Sequence, residues 1–99
     1  MEFITFVKKE NVRKAEEALK SDFDVAAKQS IKVRDAVSLG LKGEGSFFYI
    51  TGTDEGVERC KELLKDFIEK VPQEDLEKAV EKIKDEDNAA AAGIGGIFG

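Results

Sequence analysis

The side chains that could do chemistry in this chain are few, because its 99 residues include no histidine. Without histidine there is no Ser-His-Asp triad, no Cys-His nucleophile pair and no histidine-ligated zinc. The single cysteine, Cys60, cannot form an internal disulfide and cannot by itself hold a zinc ion or an iron–sulfur cluster. The sequence therefore predicts no catalytic residues, no cofactor and no metal site, and a protein that is not an enzyme.

Two side chains remain as candidates for reactive chemistry, and each has a structural alternative. Asp35 falls in the apolar register of a predicted strand. There its carboxylate could serve as a ligand or as an acid–base group with a raised pKa, or a bulge near residues 35–36 could move it off that face. Cys60 falls on the apolar face of a predicted helix, where we interpret it as a small buried hydrophobic residue in preference to a reactive thiol. Asp35 is kept as a possible polar site.

Basic side chains at alternate positions indicate a binding surface. Across residues 30–41, apolar residues alternate with polar or small ones, and Lys32 and Arg34 fall on the side opposite the apolar set. If the apolar set faces the helices, both basic side chains lie on the outer face of the sheet.

Aromatic residues of the next predicted strand, 46–51, belong beside them. That strand carries two alternating pairs, Phe47 with Tyr49 and Phe48 with Ile50, and one pair must share the outer face. Basic groups beside aromatic rings suit single-stranded nucleic acid, and an uncovered apolar face suits dimerisation or ligand binding. The predicted binding residues are Lys32, Arg34, Phe47 and Tyr49.

The segment around that strand resembles the RNP1 octamer of the RNA recognition motif. The likeness is carried by the pattern Lys42-Gly43-x-Gly45-x-Phe47-x-Tyr49. It implies binding of single-stranded RNA on a sheet face. In that family the third and fifth positions hold the aromatic rings on which bases stack, and here those positions hold Glu44 and Ser46.

The elements that must position these residues follow from hydrophobic periodicity. They are predicted as a strand over 1–8, a helix over 10–20, strands over 30–41 and 46–51, a helix over 54–71 and a further helix over 73–84. The order β-α-β-β-α plus an extra C-terminal helix predicts an α+β fold with a ferredoxin-like split β-α-β sheet and helices on one sheet face.

The fourth strand of such a sheet is missing at its usual place. Either the third helix replaces it, or the apolar residues within 93–98 supply it late, although glycines make poor strand material. We predict a single domain over 1–88 and an alanine- and glycine-rich tail over 89–99.

The charge of the chain limits its partners. Its formal net charge is −5, and charged residues make up 37% of it, with a thermophile-like dominance of lysine and glutamate. An acidic chain disfavours nucleic acid as a partner without excluding a basic face. No apolar run is long enough for a membrane span and no signal peptide is evident, so we expect no membrane partner and a cytoplasmic location.

These observations together predict a small binding or assembly module. We expect it to form homo-oligomers or to bind a ligand through the open face of its sheet. The alternative is a single-stranded RNA-binding domain with the architecture of the RNA recognition motif.

Overall fold

The structure, a computed structural model, describes the backbone of residues 1–98 and the side chains of residues 1–86. Strands and helices follow one another in the order β-α-β-β-α-β-α. Their bounds are β1 (Glu2–Lys8), α1 (Val12–Ser21), β2 (Ser30–Asp35), β3 (Gly45–Thr51), α2 (Asp54–Leu64), β4 (Ile68–Glu69) and α3 (Gln73–Phe98). Short 3₁₀ turns lie at Lys9–Asn11, Ala26–Lys28 and Val37–Leu39.

The strands form one sheet in the order β2-β3-β1-β4, and every neighbouring pair is antiparallel. β3 is central and pairs along its length with β1 on one side and β2 on the other. The predicted mixed α+β fold is thus confirmed. At one end of the sheet the two-residue β4 pairs with Phe6 and Val7 of β1. At the other end, β2 forms an edge.

The fourth strand comes from a place that the sequence did not indicate. The predicted helix over 54–71 was too long, because α2 ends at Leu64 and a turn bond from the Phe67 N–H to the Leu64 carbonyl (2.8 Å) redirects the chain. The chain then runs briefly along β1 as β4. The backbone of residues 93–98 belongs to α3, so the late strand was also wrong. The predicted boundary at residue 88 falls inside α3, and the side chains of the predicted tail lie outside the described residues.

Two apolar clusters cover the two faces of the sheet. The buried residues that join α1 and α2 to one face are Val7, Ala15, Leu19, Ala26, Phe48, Ile50, Val57, Cys60 and Leu64. The buried residues that join α3 and the Val37–Leu39 turn to the other face are Phe6, Ala36, Leu39, Phe47, Tyr49, Ala79 and Ile83.

The prediction that all helices share one face was therefore wrong. β1 and β3 carry large apolar side chains on both faces, so each face needs a covering layer. α3 has an apolar stripe of its own, which includes Leu76, Ala79 and Ile83. Because α1 and α2 already occupy one face, α3 buries its stripe against the other.

The start of α2 is held by a side-chain cap. The hydroxyl oxygen of Thr53 accepts a hydrogen bond from the Gly56 N–H at 3.0 Å, and Asp54 and Glu55 follow in the first turn. The Thr53 N–H donates in turn to the side-chain oxygen of Gln29 at 3.1 Å. The cap satisfies an amide that would otherwise have no partner within the helix, as the sequence predicted.

Replacing Thr53 tests how much its cap stabilises the start of α2. Thr53→Ala is expected to lower the free energy of unfolding by about 1 kcal/mol, because the Gly56 N–H loses its acceptor. Thr53→Ser keeps a hydroxyl and is expected to retain most of the stability. Urea unfolding followed by circular dichroism measures both; equal losses in the two variants would show that the hydroxyl does not act as a cap.

Candidate functional site

The structure brings the four predicted binding residues together on one face. In the β2–β3 ladder, Lys32 lies opposite Tyr49 and Arg34 lies opposite Phe47. Each basic residue is therefore the direct cross-strand neighbour of an aromatic residue. The pairing that the sequence left open, Phe47 with Tyr49 or Phe48 with Ile50, falls to Phe47 and Tyr49.

That face is nevertheless closed. Phe47 is 1% exposed and Tyr49 is 6% exposed, because Ala79 and Ile83 of α3 belong to the same buried cluster. Phe48 is fully buried on the opposite face, in the cluster that includes α1 and α2. The expected open face for oligomers, ligands or RNA is thus a helix-covered interior, and the prediction of an uncovered sheet face was wrong.

Polar contacts hold the middle of α3 against the sheet. The Arg34 guanidinium lies 2.9 Å from the Glu86 carboxylate, and the Lys84 ammonium lies 3.5 Å from the Glu2 carboxylate. The Tyr49 hydroxyl donates a hydrogen bond to Glu2. Burial, and then the contact with Glu2, raises the pKa of Tyr49 to about 12; the same hydrogen bond, with help from Lys84, lowers the pKa of the Glu2 carboxyl.

These shifts predict a loss of stability at high pH. The unfolded chain ionises Tyr49 near its ordinary value of 10.0, whereas the folded chain holds the proton up to a pKa of about 12. The contribution of Tyr49 is complete below pH 10 and is lost between pH 10 and 12, with a slope of at most about 1.4 kcal/mol per pH unit. Chemical unfolding on both sides of pH 10 measures it. Tyr49→Phe is expected to remove this component of the slope; an unchanged slope in that variant would contradict the assignment.

Asp35 and Cys60, the two candidates for reactive chemistry, lie at the end of β2 and in the core beneath α2. β2 ends at Asp35, so the strand predicted over 30–41 was too long. Asp35 keeps the register of Ile31 and Val33 without a bulge, and its side chain is exposed at the end of the strand. Its carboxylate accepts a hydrogen bond from the Ser46 hydroxyl at 2.9 Å. A cavity of about 370 Å³ adjoins it, lined also by Lys9 and Glu44. Cys60 is fully buried, and burial raises the pKa of its thiol, away from reactivity.

The edge of the sheet at β2 is a further candidate site, which sequence reasoning missed. The Ala36 N–H donates to the Gly45 carbonyl at 3.0 Å, which fixes the alternation of the ladder. By that alternation, the N–H and C=O groups of Ile31, Val33 and Asp35 point away from β3. They lie in the plane of the sheet and point beyond its edge. Within the described residues no strand pairs with this edge.

The outward groups of β2 are only partly engaged. The Val33 carbonyl accepts a hydrogen bond from the Arg34 guanidinium at 2.9 Å, and the Asp35 carbonyl accepts one from the Ser38 hydroxyl at 2.7 Å. In the described part of the chain, the N–H groups of Ile31, Val33 and Asp35 donate no hydrogen bond, so they can donate to a partner. A carbonyl oxygen has two lone pairs, so both engaged carbonyls retain capacity for a second hydrogen bond.

A groove runs beside this edge, between β2 and α1. It encloses about 410 Å³, and its lining residues are Glu16, Leu19, Lys20, Ala27, Gln29, Ile31 and Val33. Ile31 and Val33 are half-buried and pack against the cluster beneath α1. The apolar lining thus continues to the rim of the sheet, next to the outward backbone N–H groups of β2. A strand edge beside an apolar groove can accept an extended peptide.

Other kinds of site find no support in the described residues. No group of three or more acidic or cysteine side chains there is placed to hold a metal ion. In the same part of the chain, no helix has both the length and the apolar character of a membrane span. Comparison of the chain with known protein families, with curated proteins and with solved structures gave no significant match.

Proposed function

We propose that this protein is a binding module, without a catalytic centre of its own, that takes an extended segment of a partner as an additional strand on β2. The observation that carries the proposal is the row of outward N–H groups at Ile31, Val33 and Asp35, directly beside the groove under α1. Main-chain hydrogen bonds would supply affinity, and side chains entering the groove would supply selectivity.

We further propose that the fold is of the ferredoxin-like kind, with α3 as an added layer. The strand order β2-β3-β1-β4 and the chain order β-α-β-β-α-β support this assignment. In such a sheet the first helix, α1, follows β1 and crosses over to β2. The groove then follows from the topology, because it lies where α1 meets β2, the edge strand of the sheet.

The length of β2 also favours this edge over the opposite one. β2 has six residues, all paired with β3, whereas β4 has two residues and leaves much of β1 unpaired on that side. A continuous edge offers a donor and an acceptor at every second residue to an incoming strand, whereas the opposite edge is interrupted. We therefore place the binding site at β2.

A selection experiment on this edge tests the proposal. Random peptides displayed on phage are selected against the full chain, and their affinities are then measured for two variants. Val33→Pro removes the outward N–H at the centre of the edge and leaves the β2–β3 ladder intact, because that N–H does not point at β3. Val33→Ala shortens the same side chain and keeps the N–H, so it controls for lost packing.

The expected result is a loss of at least about tenfold for Val33→Pro, the equivalent of one backbone hydrogen bond, and a smaller change for Val33→Ala. Circular dichroism establishes that both variants are folded. If Val33→Pro is unfolded, N-methylated versions of the selected peptides replace it and remove the same hydrogen bonds from the other side. Equal binding by both variants, or by methylated and unmethylated peptides, would refute the proposal.

Binding of single-stranded RNA is the second candidate, favoured by the placement of Lys32 beside Tyr49 and of Arg34 beside Phe47. It requires α3 to leave the sheet, because bases stack on exposed rings and both rings are buried. Fluorescence anisotropy with an oligouridylate at low and high salt tests it. An affinity that falls with salt, together with RNA-induced changes in the NMR chemical shifts of the Phe47 and Tyr49 rings, would support this candidate over edge pairing.

A further inference from the structure

We infer the chemistry of the partner segment: an antiparallel strand in which acidic residues alternate with apolar ones. The inference rests on the proposed function, since it describes what pairs with β2. The acidic side chains would lie on the α3 side of the sheet, opposite Lys32 and Arg34. The apolar side chains would lie on the α1 side, opposite Ile31 and Val33.

Charge complementarity supports the acidic positions. Residues 25–34 contain three basic residues and no acidic one, in a chain whose net charge is −5. Lys32 and Arg34 project from the same side of β2, two residues apart. A strand paired with β2 places alternate side chains directly opposite them, and opposite charges in such cross-strand positions attract.

Arg34 already binds a carboxylate in this arrangement. Its guanidinium contacts Glu86 of α3 at 2.9 Å, and the two side chains are 38% and 43% exposed. Because the pair is exposed, it is weak and exchanges readily with solvent and competing carboxylates. The Arg34 guanidinium could therefore bind an acidic side chain of the partner as it binds Glu86.

The groove supports the apolar positions. Residues opposite Ile31 and Val33 would point to the side of the sheet on which Leu19 forms part of the groove. Leu19 is buried, and Ile31 and Val33 are half-buried, so apolar surface remains at this place to be covered. An aliphatic side chain would bury that surface without leaving a polar group unpaired.

A second copy of this chain is a poor occupant of the same edge. Two β2 strands related by a two-fold axis at Val33 would place Lys32 of one copy opposite Arg34 of the other. A register shifted by two residues would place Lys32 opposite Lys32. Like charges directly opposite each other destabilise a strand pair, which is one way that edge strands avoid self-pairing. The occupant is therefore a different protein.

A fluorescent peptide of alternating valine and glutamate is the probe, and a peptide with lysine in place of glutamate is its matched control. We expect the glutamate peptide to bind the full chain at least about tenfold more tightly, since each of two cross-strand charge pairs changes from repulsive to attractive. In the double variant Lys32→Gln/Arg34→Gln the preference is expected to shrink to about twofold or less.

N-methylation locates the hydrogen bonds. In the antiparallel arrangement the residues opposite Ile31 and Val33 turn their N–H groups towards β2, so N-methylated valines should abolish binding and N-methylated glutamates should not. The lysine peptide binding as tightly as the glutamate peptide, with the same sensitivity to methylated valine, would overturn the inferred chemistry and leave edge binding standing. Binding insensitive to methylation at either set would refute edge binding itself.

Two further outcomes would also overturn the inferred partner. A dimer in sedimentation that Val33→Pro dissociates would show that a second copy occupies the edge. An oligouridylate that competes with the glutamate peptide and loses its affinity in the Lys32→Gln/Arg34→Gln variant would show that nucleic acid does. A monomeric chain that leaves oligouridylate unbound supports the protein segment.

Discussion

Phe47→Ala is expected to lower the free energy of unfolding by about 3–5 kcal/mol, as much as Phe48→Ala. The two residues are neighbours on β3 and point to opposite faces, yet Phe47 is 1% exposed and Phe48 is fully buried. Each truncation removes a ring from a packed cluster and leaves a cavity that the sheet cannot collapse to fill. Urea unfolding of the two variants measures the losses.

Phe23→Ala is the matched control, because Phe23 is 76% exposed and its truncation is expected to change stability by less than about 0.5 kcal/mol. The comparison decides whether α3 covers the sheet in solution. A severe loss for Phe48→Ala combined with a near-neutral Phe47→Ala would show an open face, as the sequence alone suggested.

Gly45→Ala is expected to cost about 3 kcal/mol, an overpacking penalty at the upper end of the usual range. A β-carbon at this position would overlap the carbonyl oxygen of Val7, and it would lie 2.6 Å from the ring of Phe6. The carbonyl belongs to the backbone of the paired strand, so relief requires β1 and β3 to separate locally. Thermal and urea unfolding measure the effect.

Two substitutions serve as controls for the clash at Gly45, one at a neighbouring exposed residue and one at another glycine. Glu44→Ala, at the exposed neighbouring position, is expected to be nearly neutral. Gly56→Ala would also introduce an overlap, but with the side-chain amide of Gln29. That amide can rotate away at the cost of the hydrogen bonds it accepts from the Thr53 N–H and donates to the Val25 carbonyl. A smaller loss for Gly56→Ala than for Gly45→Ala is expected; the reverse order would contradict the backbone explanation.

Local periodicity was sufficient to predict most elements of this fold. The short apolar runs of β1 and β3 and the helical spacing in α1 and α2 are properties of neighbouring residues, so they can be seen without knowing the fold. The cap at Thr53 is equally local. The errors fell in short segments. β4 has two residues, too few to show any periodicity, and it lies where the sequence predicts the end of the helix over 54–71.

The region after β2 shows how tertiary packing overrides an alternating pattern. Residues 30–41 alternate as a long strand would, yet β2 ends at Asp35 and a 3₁₀ turn follows. Ala36 and Leu39 are buried in the cluster under α3, while Val37 is exposed. The turn breaks the alternation, because it buries Ala36 with Leu39 beneath α3 and leaves Val37 exposed, and the local sequence does not reveal that helix.

The candidate site was predictable only in part. Side-chain alternation predicts that Lys32 and Arg34 share one face of β2, but only the register of β2 against β3 puts Phe47 and Tyr49 beside them. Whether that face meets water depends on where α3 packs. The apolar stripe of α3 shows which face of the helix is buried but not which surface it covers. From the sequence alone, either apolar face of the sheet could receive it.

The sequence by itself determined that the chain lacks histidine-based chemistry, that it forms an α+β fold and that Lys32 and Arg34 share one face of β2. Those properties depend on composition and on short-range periodicity. Only the tertiary structure decided that Phe47 and Tyr49 lie on that face, that α3 buries them, and that β2, with its groove, forms an edge of the sheet. Strand order and helix docking depend on contacts between residues far apart in the chain, which burial energy selects and no local pattern encodes.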